Sequence, residues 1–345
     1  METETSKYSS AIILVENLRL TGGIRQSLKL LEDIVLPSEI YFGLTARRTC
    51  GIRSLFGFIK DYFIAQINKP AIAKIIFIKK PITIKLSTIY ITTSRDTLLY
   101  VNNLGASNHI HYCQHIELWD FINSQKFLKF CESEGYPNSK KFFKLLLNNL
   151  NTLSSKELSY LENLKAIKNF YTVSDFLSNL LQELNQNIPN IKLISVKPHI
   201  FKTIETSIRK YDLMFFLRGI PFKGDEIIIE LLHFFSKLQF INILVICNSA
   251  RALKAFAHLK CSNITSVINP SDIDLAKYYT NSKIVVCTSL LEGFGSIPQE
   301  ALSMGCKVVS SRTGWLCNHK DITENIHVID YHNKNHYVEK IISFL

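Results

Sequence analysis

Residues 292–304 read E-G-F-G-S-I-P-Q-E-A-L-S-M, and this stretch constrains the chain more than any other. Glu292 and Glu300 stand eight positions apart, with Gly293, Gly295, Ser296 and Pro298 between them. Short apolar, β-branched runs precede it at 283–288 and follow it at 307–310, each suited to a buried strand. Pro298 suits the first turn of a helix, Ser296 can cap that helix, and Gly305 can end it. The expected unit is strand, glycine loop, helix, glycine stop, strand. Such a loop and helix N-terminus offer unpaired backbone N–H groups to an anion.

Two carboxylates in that setting need a target other than phosphate. Hydroxyl groups are the natural one, because an ionised Glu can accept from a vicinal diol through both oxygens. A diphosphate flanked by two polyols is a sugar nucleotide. The competing reading is that Glu300 helps to cap the helix while Glu292 is a solvated loop residue.

The rest of the chain bears on that choice. At 345 residues it exceeds one typical core, so two domains are expected. With 47% hydrophobic and 20% charged residues it is globular. A net charge of +11 fits phosphorylated substrates, an anionic membrane face or nucleic acid, and does not choose among them. The eight cysteines include no C-x-x-C pair and no metal-ligand spacing with the histidines. Reduced thiols in a cytoplasmic protein are expected, with no metal site and no cofactor. The N-terminus lacks a signal peptide's basic and apolar regions, and no apolar run reaches the roughly 18 residues that span a bilayer.

In chain order, residues 10–15 read as a buried strand, followed by Gly22-Gly23 and a helix over 24–32, a second anion-friendly turn. The pattern G-x-G-x-x-G is absent, which speaks against a dinucleotide dehydrogenase. Strands are expected at 75–78 and 89–93, and a helix near 96–101. A strand from 109 toward 120 would carry His109, His111 and His115 on one face. A single catalytic or substrate-contacting histidine, His115, is the preferred reading over a metal site, because one strand rarely supplies three metal ligands.

Residues 126–130 and 140–147 alternate lysines with large apolar residues. Such a pattern can lie on anionic lipid, or be an ordinary amphipathic helix with a solvated lysine face. The basic residues are too dispersed for a nucleic-acid module. A strand at 170–174 and a helix capped by Ser174 come next, and the polar tract 185–190 marks a domain boundary.

Beyond it, strands at 211–217, 241–246 and 265–268 alternate with helices, which predicts a doubly wound parallel sheet. Ser271 and Asp274 form a capping box. Arg218 leaves the end of a strand and Lys223-Gly224 follow in the next loop. Both cations can converge outside the strands' carboxyl ends, where Arg's fork and Lys's point charge match a diphosphate.

With these residues in view, the chain resembles the GT-B fold glycosyltransferases, specifically the retaining family 4 (group 1) type. The resemblance rests on Arg218, Lys223-Gly224, the run from Glu292 to Glu300, and residues 301–310. Weaker similarity continues at Gly22-Gly23, 111–119 and 171–174. It implies an α/β fold of two Rossmann-like domains with parallel sheets facing across a cleft. The expected boundaries are an acceptor-side domain at 1–190, a donor-binding domain at 191–330, and a C-terminal helix at 331–345 that packs back toward the first domain. Arg218 and Lys223 would hold the donor diphosphate, Glu300 the ribose hydroxyls, and Glu292 the transferred sugar near the reacting centre. Gly293, Phe294, Gly295, Ser296 and Ile297 would line the donor, Gly22 and Gly23 would close on the diphosphate, and His115 would contact the sugar. Transfer would retain anomeric configuration without a metal.

The expected function is then transfer of a hexose or deoxyhexose from a nucleotide-sugar to a glycan or lipid-linked acceptor. Lipopolysaccharide or capsule biosynthesis would be the setting, in the cytoplasm and peripherally at the inner face of an anionic membrane, with no nucleic acid involved. A sugar-nucleotide epimerase on the same fold, or a non-catalytic glycosyltransferase-like subunit, is the alternative. Three departures stand out. Leu217 replaces the glycine that usually precedes the arginine, residues 313–316 replace a Gly-Gly pair so that Trp315 would reshape the pocket, and the C-terminus is short.

Overall fold

The computed structural model describes residues 10–15, 39–44, 73–77, 85–106, 108–185, 190–194, 209–259, 261–318 and 323–345. Gly22, Gly23 and the helix expected at 24–32 lie outside these residues. The chain divides into two compact units, Met1–Glu117 with Leu146–Ser195, and Leu118–Leu145 with Val196–Leu345.

The first unit holds a seven-stranded parallel sheet. Its early elements are β1 (Ser10–Val15), β2 (Glu39–Leu44), β3 (Ala73–Phe77), β4 (Thr88–Thr92), helix α1 (Arg95–Asn103) and β5 (His109–Cys113). The chain then contributes a short helical turn (Trp119–Ile122), α2 (Gln125–Ser133) and α3 (Ser139–Leu147) before returning. It continues through α4 (Ser155–Ala166), β6 (Asn169–Thr172), α5 (Asp175–Leu184) and β7 (Asn190–Leu193). Strand order is β3-β2-β1-β4-β5-β6-β7, so the order reverses between β1 and β4. Both faces of β4 and β5 are buried, so their polar residues Thr88, Thr92, His109 and His111 are buried along with the apolar ones. Two polar pairs cross this core: Ser10 Oγ meets Thr88 Oγ1 at 2.6 Å, and His111 Nδ1 meets Thr92 Oγ1 at 2.8 Å. Ser174 caps its helix as read, and Ser94 and Ser154, which the sequence reading did not single out, do the same, each side chain accepting a first-turn amide.

Residues 118–145 do not follow the boundary expected at 190; they cluster with the second unit. The cause is a set of contacts with the far end of the chain that no local pattern encodes. The Tyr136 N–H donates to the Asp330 carbonyl at 2.8 Å and the His332 N–H to the Cys131 carbonyl at 3.0 Å. The Tyr136 hydroxyl lies 2.9 Å from His332 Nδ1 and 3.0 Å from the Tyr337 hydroxyl, all three side chains buried. Phe121, Phe127 and Phe142 pack against one another, so α2 and α3 commit their large aromatic residues to a core while Lys126, Lys129, Lys140, Lys141 and Lys144 face outward. Each such buried ring contributes roughly 2–3 kcal/mol.

The second unit carries β8 (Tyr211–Leu217), α6 (Asp225–Phe235), β9 (Ile243–Cys247), α7 (Ala250–Lys254), β10 (Ile264–Ile268), α8 (Asp272–Thr280), β11 (Ser282–Cys287), α9 (Ser296–Ser303), β12 (Lys307–Ser311), β13 (Ile326–Ile329) and α10 (Lys334–Phe344). All its strand pairs are parallel, in the order β10-β9-β8-β11-β12-β13. This is the doubly wound 3-2-1-4-5-6 arrangement, whose ligand crevice opens at the carboxyl ends of the first and fourth strands. Here those strands are β8 and β11, the strands that lead into Arg218 and Glu292. Helix α10 buries Tyr337 and Ile341 and contacts α6, β12 and β13 of its own unit. Among the described residues no helix is long and apolar enough to cross a membrane.

Three buried histidines make a pH dependence predictable. Burial lowers His109 and His332 to about 4 and His111 to about 3, against 6.5 for a free imidazole. Each is neutral in the fold and takes up a proton more readily when unfolded. Stability is therefore fully present above pH 6.5 and is lost as pH falls from 6.5 toward 4, by about 3 kcal/mol per group at the limit. The urea midpoint should drop markedly between pH 7.5 and pH 5. An unchanged midpoint would contradict the neutral, buried assignment.

Candidate active site

Strand β8 ends in a loop shaped by one carboxylate. Asp225, at the first position of α6, accepts from the backbone N–H groups of Arg218 (3.1 Å), Gly219 and Ile220 (3.1 Å). Desolvation nevertheless holds its pKa above the ordinary carboxylate range. With its backbone fixed there, Arg218 lays its guanidinium carbon 5.3 Å from the Phe216 ring centre. Among the described residues the guanidinium has no carboxylate within ion-pair distance.

Lys223 follows in the 3₁₀ turn Pro221–Lys223. Its Nζ donates to Glu292 Oε1 at 2.7 Å, and the Ser289 hydroxyl donates to the same oxygen at 2.6 Å. The Lys and Glu side chains are 23% and 19% exposed, so the pair is only partly screened by water. The two loops are closely interlocked. The Thr288 hydroxyl donates to the carbonyls of Lys223 (3.1 Å) or Gly224 (3.0 Å), and the Leu290 N–H to the Phe222 carbonyl at 2.8 Å.

Gly295 begins α9 in the left-handed region, with φ 84°, and the helix has no side-chain cap. Ser296 is thus the first helical residue and does not cap the helix as its type suggested. Its place is taken by a backbone turn held from behind: the Trp315 N–H donates to the Phe294 carbonyl at 2.8 Å and the Trp315 indole N–H to the Gly295 carbonyl at 3.1 Å. A glycine is needed at 314, because a Cβ there would lie 2.0 Å from the Phe294 carbonyl oxygen. Trp315 supports the glycine loop directly, and its neighbour Gly314 permits the close approach. With no side chain taking the first-turn amides, they keep their capacity for an anion.

Glu300 does not cap α9 either; it accepts from the Tyr279 hydroxyl at 2.9 Å. Tyr279 is wholly buried, and burial followed by the Glu300 charge drives its pKa well up, so it stays a donor. A carboxylate has about four acceptor positions, and this bond orients Glu300 while occupying one of them. The Cys287 thiol, at the end of β11, lies within electrostatic reach of all four charges. After burial, its strongest perturbations come from Glu292, Arg218, Glu300 and Lys223. Arg218, Lys223, Glu292 and Glu300 thus meet at one switch point of one unit.

The histidines sit in the first unit. Strand β5 stops at Cys113, short of the polar cluster expected on it, so His115 lies in the loop beyond. Its Nδ1–H donates to the Ile116 carbonyl at 2.7 Å, and His109 and His111 are buried core residues. Among the described residues no group of three or more His, Cys, Asp or Glu side chains is placed to hold a metal ion. Ser271 caps α8, but the reciprocal half of the expected box does not form: the Asp274 carboxylate accepts from the Ser271 hydroxyl at 2.7 Å and pairs with Lys277 at 3.0 Å. A cavity of about 300 Å³ lined by Tyr136, Lys141, Arg312, Asp330 and Tyr331 is separate from this site, since none of the four converging residues lines it. Asp225, Tyr279 and Ser289 were not anticipated. Only Asp225 carried a local signal, an acid at a helix start just after Lys-Gly.

Two parallel-sheet α/β domains, the second with this charge constellation at its switch point, define the GT-B class of fold. Residues 209–345 match the family model described as glycosyl transferases group 1. Among solved structures the chain is similar to TarM, with TM-score 0.66 and 13% identity over 99% of this chain and 92% of that one. A mutant of S. aureus TarM, in complex with fondaparinux, alpha-GlcNAc-glycerol and UDP, gives TM-score 0.54 and 18% identity. There the match covers 75% of this chain and 48% of the other. Anabaena Alr3699/HepE in complex with UDP-glucose gives TM-score 0.65 and 10% identity, over 97% and 89% of the two chains. At these identities the likeness is one of fold. No curated protein sequence matches the chain significantly.

Proposed function

We propose that this protein is a group 1 glycosyltransferase that moves a sugar from a nucleotide-sugar to a glycan or lipid-linked acceptor. The observation that carries the reading is the convergence of two cations and two carboxylates at the second unit's switch point, beside an uncapped helix N-terminus. Arg218, Lys223 and the first amides of α9 take the diphosphate. Glu300, oriented by Tyr279, takes the ribose diol, and Glu292 lies where the sugar hydroxyls would follow. The bond from the anomeric carbon to the diphosphate oxygen breaks, and the acceptor hydroxyl oxygen bonds to that carbon on the same face. The hydroxyl proton passes to the departing nucleoside diphosphate, whose charge Arg218 and Lys223 offset, so no metal is required. Family-model agreement over 209–345 and UDP-bound neighbours of like fold support this reading.

A thermal-shift panel of UDP-, GDP-, ADP- and dTDP-sugars on wild type and Glu300→Ala tests it. One of the ribose-bearing donors should stabilise the wild type and lose that effect in the variant. Because dTDP offers one hydroxyl where the others offer a diol, its sugars should shift least. No shift from any donor would sink the proposal.

A further inference from the structure

Lys223 is held from behind by residues far away in sequence. Phe222, its neighbour, is buried. The Phe222 N–H donates to Asn123 Oδ1 at 3.0 Å, and its carbonyl accepts from Leu290. Its ring stacks on Trp119 with centres 5.1 Å apart and planes 22° apart, while the Lys223 ammonium lies 4.9 Å from the same ring centre. Leu290 belongs to the adjoining β11 loop and is local to the site. Trp119 and Asn123 are not; they come from the 118–145 segment.

We propose that Trp119 and Asn123 are positioning residues that set the Lys223 ammonium for the donor diphosphate. The physical case is one of entropy and alignment. Lysine is a point charge on a flexible stem, rich in rotamers. A 3₁₀ turn supported on one edge alone would leave its Cα free to shift, and misplacement by about 1 Å can cost a large factor in binding or rate. The Asn123 side-chain oxygen fixes the backbone of the residue before the lysine. The Trp119 indole fixes that residue's ring, and the ring's other contacts include the ammonium. Segment 118–145 is thereby part of the donor site's scaffold, although the sequence places it ahead of the whole domain that bears the site. This inference rests on the reading of Lys223 as a diphosphate ligand.

A double-mutant cycle read by titration calorimetry tests it, with the nucleoside diphosphate chosen by the donor panel and the matching nucleoside as control. Trp119→Leu and Asn123→Ala should each weaken nucleoside diphosphate binding about tenfold, the size of coupling seen between contacting residues. Nucleoside binding should be unchanged, and Trp119→Phe should restore diphosphate affinity. In a Lys223→Ala background the same changes should have no further effect. Equal loss for nucleoside and diphosphate would show a merely structural role, and additivity with Lys223→Ala would overturn the proposal. If Lys223→Ala weakens binding and Trp119→Leu does not, the positioning claim alone fails. If Lys223→Ala itself has no effect, or no nucleoside diphosphate binds, the functional reading fails and takes this inference with it.

Discussion

Lys223→Ala should cost nucleoside diphosphate affinity about 2–5 kcal/mol, a factor of thirty or more, as expected for truncating one partner of a largely desolvated charge pair. Part of that cost comes from Glu292. Its Oε1 accepts from Lys223 at 2.7 Å and from Ser289 at 2.6 Å. Remove the ammonium and an uncompensated carboxylate faces the incoming phosphates, so repulsion adds to lost attraction. The reciprocal change has the opposite sign for one ligand and the same sign for the reaction. Glu292→Gln removes an anion beside the phosphates and releases Lys223 to them, so nucleoside diphosphate should bind as tightly as before or tighter. Sugar transfer should nevertheless be lost, because the group facing the sugar hydroxyls is gone. Calorimetry on both variants, with a transfer assay on the second, separates these outcomes. Weaker nucleoside diphosphate binding in Glu292→Gln would contradict the division of labour between cations and carboxylates.

Gly224→Ala should be among the most disruptive changes at the site, costing at least about 3 kcal/mol through combined strain and overlap. Gly224 has φ 72°, and a Cβ there would lie 2.0 Å from the Thr288 carbonyl oxygen and 2.6 Å from its carbon. Neither loop can yield cheaply, since the Thr288 hydroxyl is bonded across the same gap. Gly219 provides an internal control in the same loop. It has nearly the same φ, 71°, but its added Cβ would meet only Ala252 Cβ at an ordinary 3.8 Å. Gly219→Ala should therefore show the left-handed backbone cost alone, about 1–2 kcal/mol. Thermal melts of both variants should rank wild type, then Gly219→Ala, then Gly224→Ala. Equal destabilisation of the two would mean that the close approach to Thr288 is not rigid.

What could be read from the residues was what depends on near neighbours. The strand, loop, helix and strand around Glu292 and Glu300 follow from apolar periodicity and glycine placement, and the Ser271 cap follows from a four-residue pattern. Where a local rule competed with a distant contact, the distant contact prevailed. Ser296 had the right type for a cap, yet Trp315 bonds the Phe294 and Gly295 carbonyls and moves the turn one residue earlier. Glu300 has the position of a helix-stabilising acid, but it is held by Tyr279, 21 residues away. The lysine and phenylalanine alternation at 126–130 and 140–147 fits a lipid face or a solvated helix equally well. Only the packing of Phe127 and Phe142 shows where the apolar side goes. Segment 118–145 was assigned by order along the chain, whereas Tyr136, His332 and Tyr337 assign it by contact.

The central claim is that cations hold the phosphates while Glu300 reads the ribose hydroxyls. Calorimetric titration of the preferred nucleoside diphosphate against its 2′,3′-dideoxy analogue, on wild type and on Glu300→Ala, tests this most directly. The wild type should favour the ribose form by about tenfold or more, in keeping with charge-assisted hydrogen bonds of roughly 1.5–3 kcal/mol. Glu300→Ala should bind both forms alike, at the affinity of the dideoxy analogue. Equal binding of the two ligands by the wild type, or a preference that survives in Glu300→Ala, would contradict it.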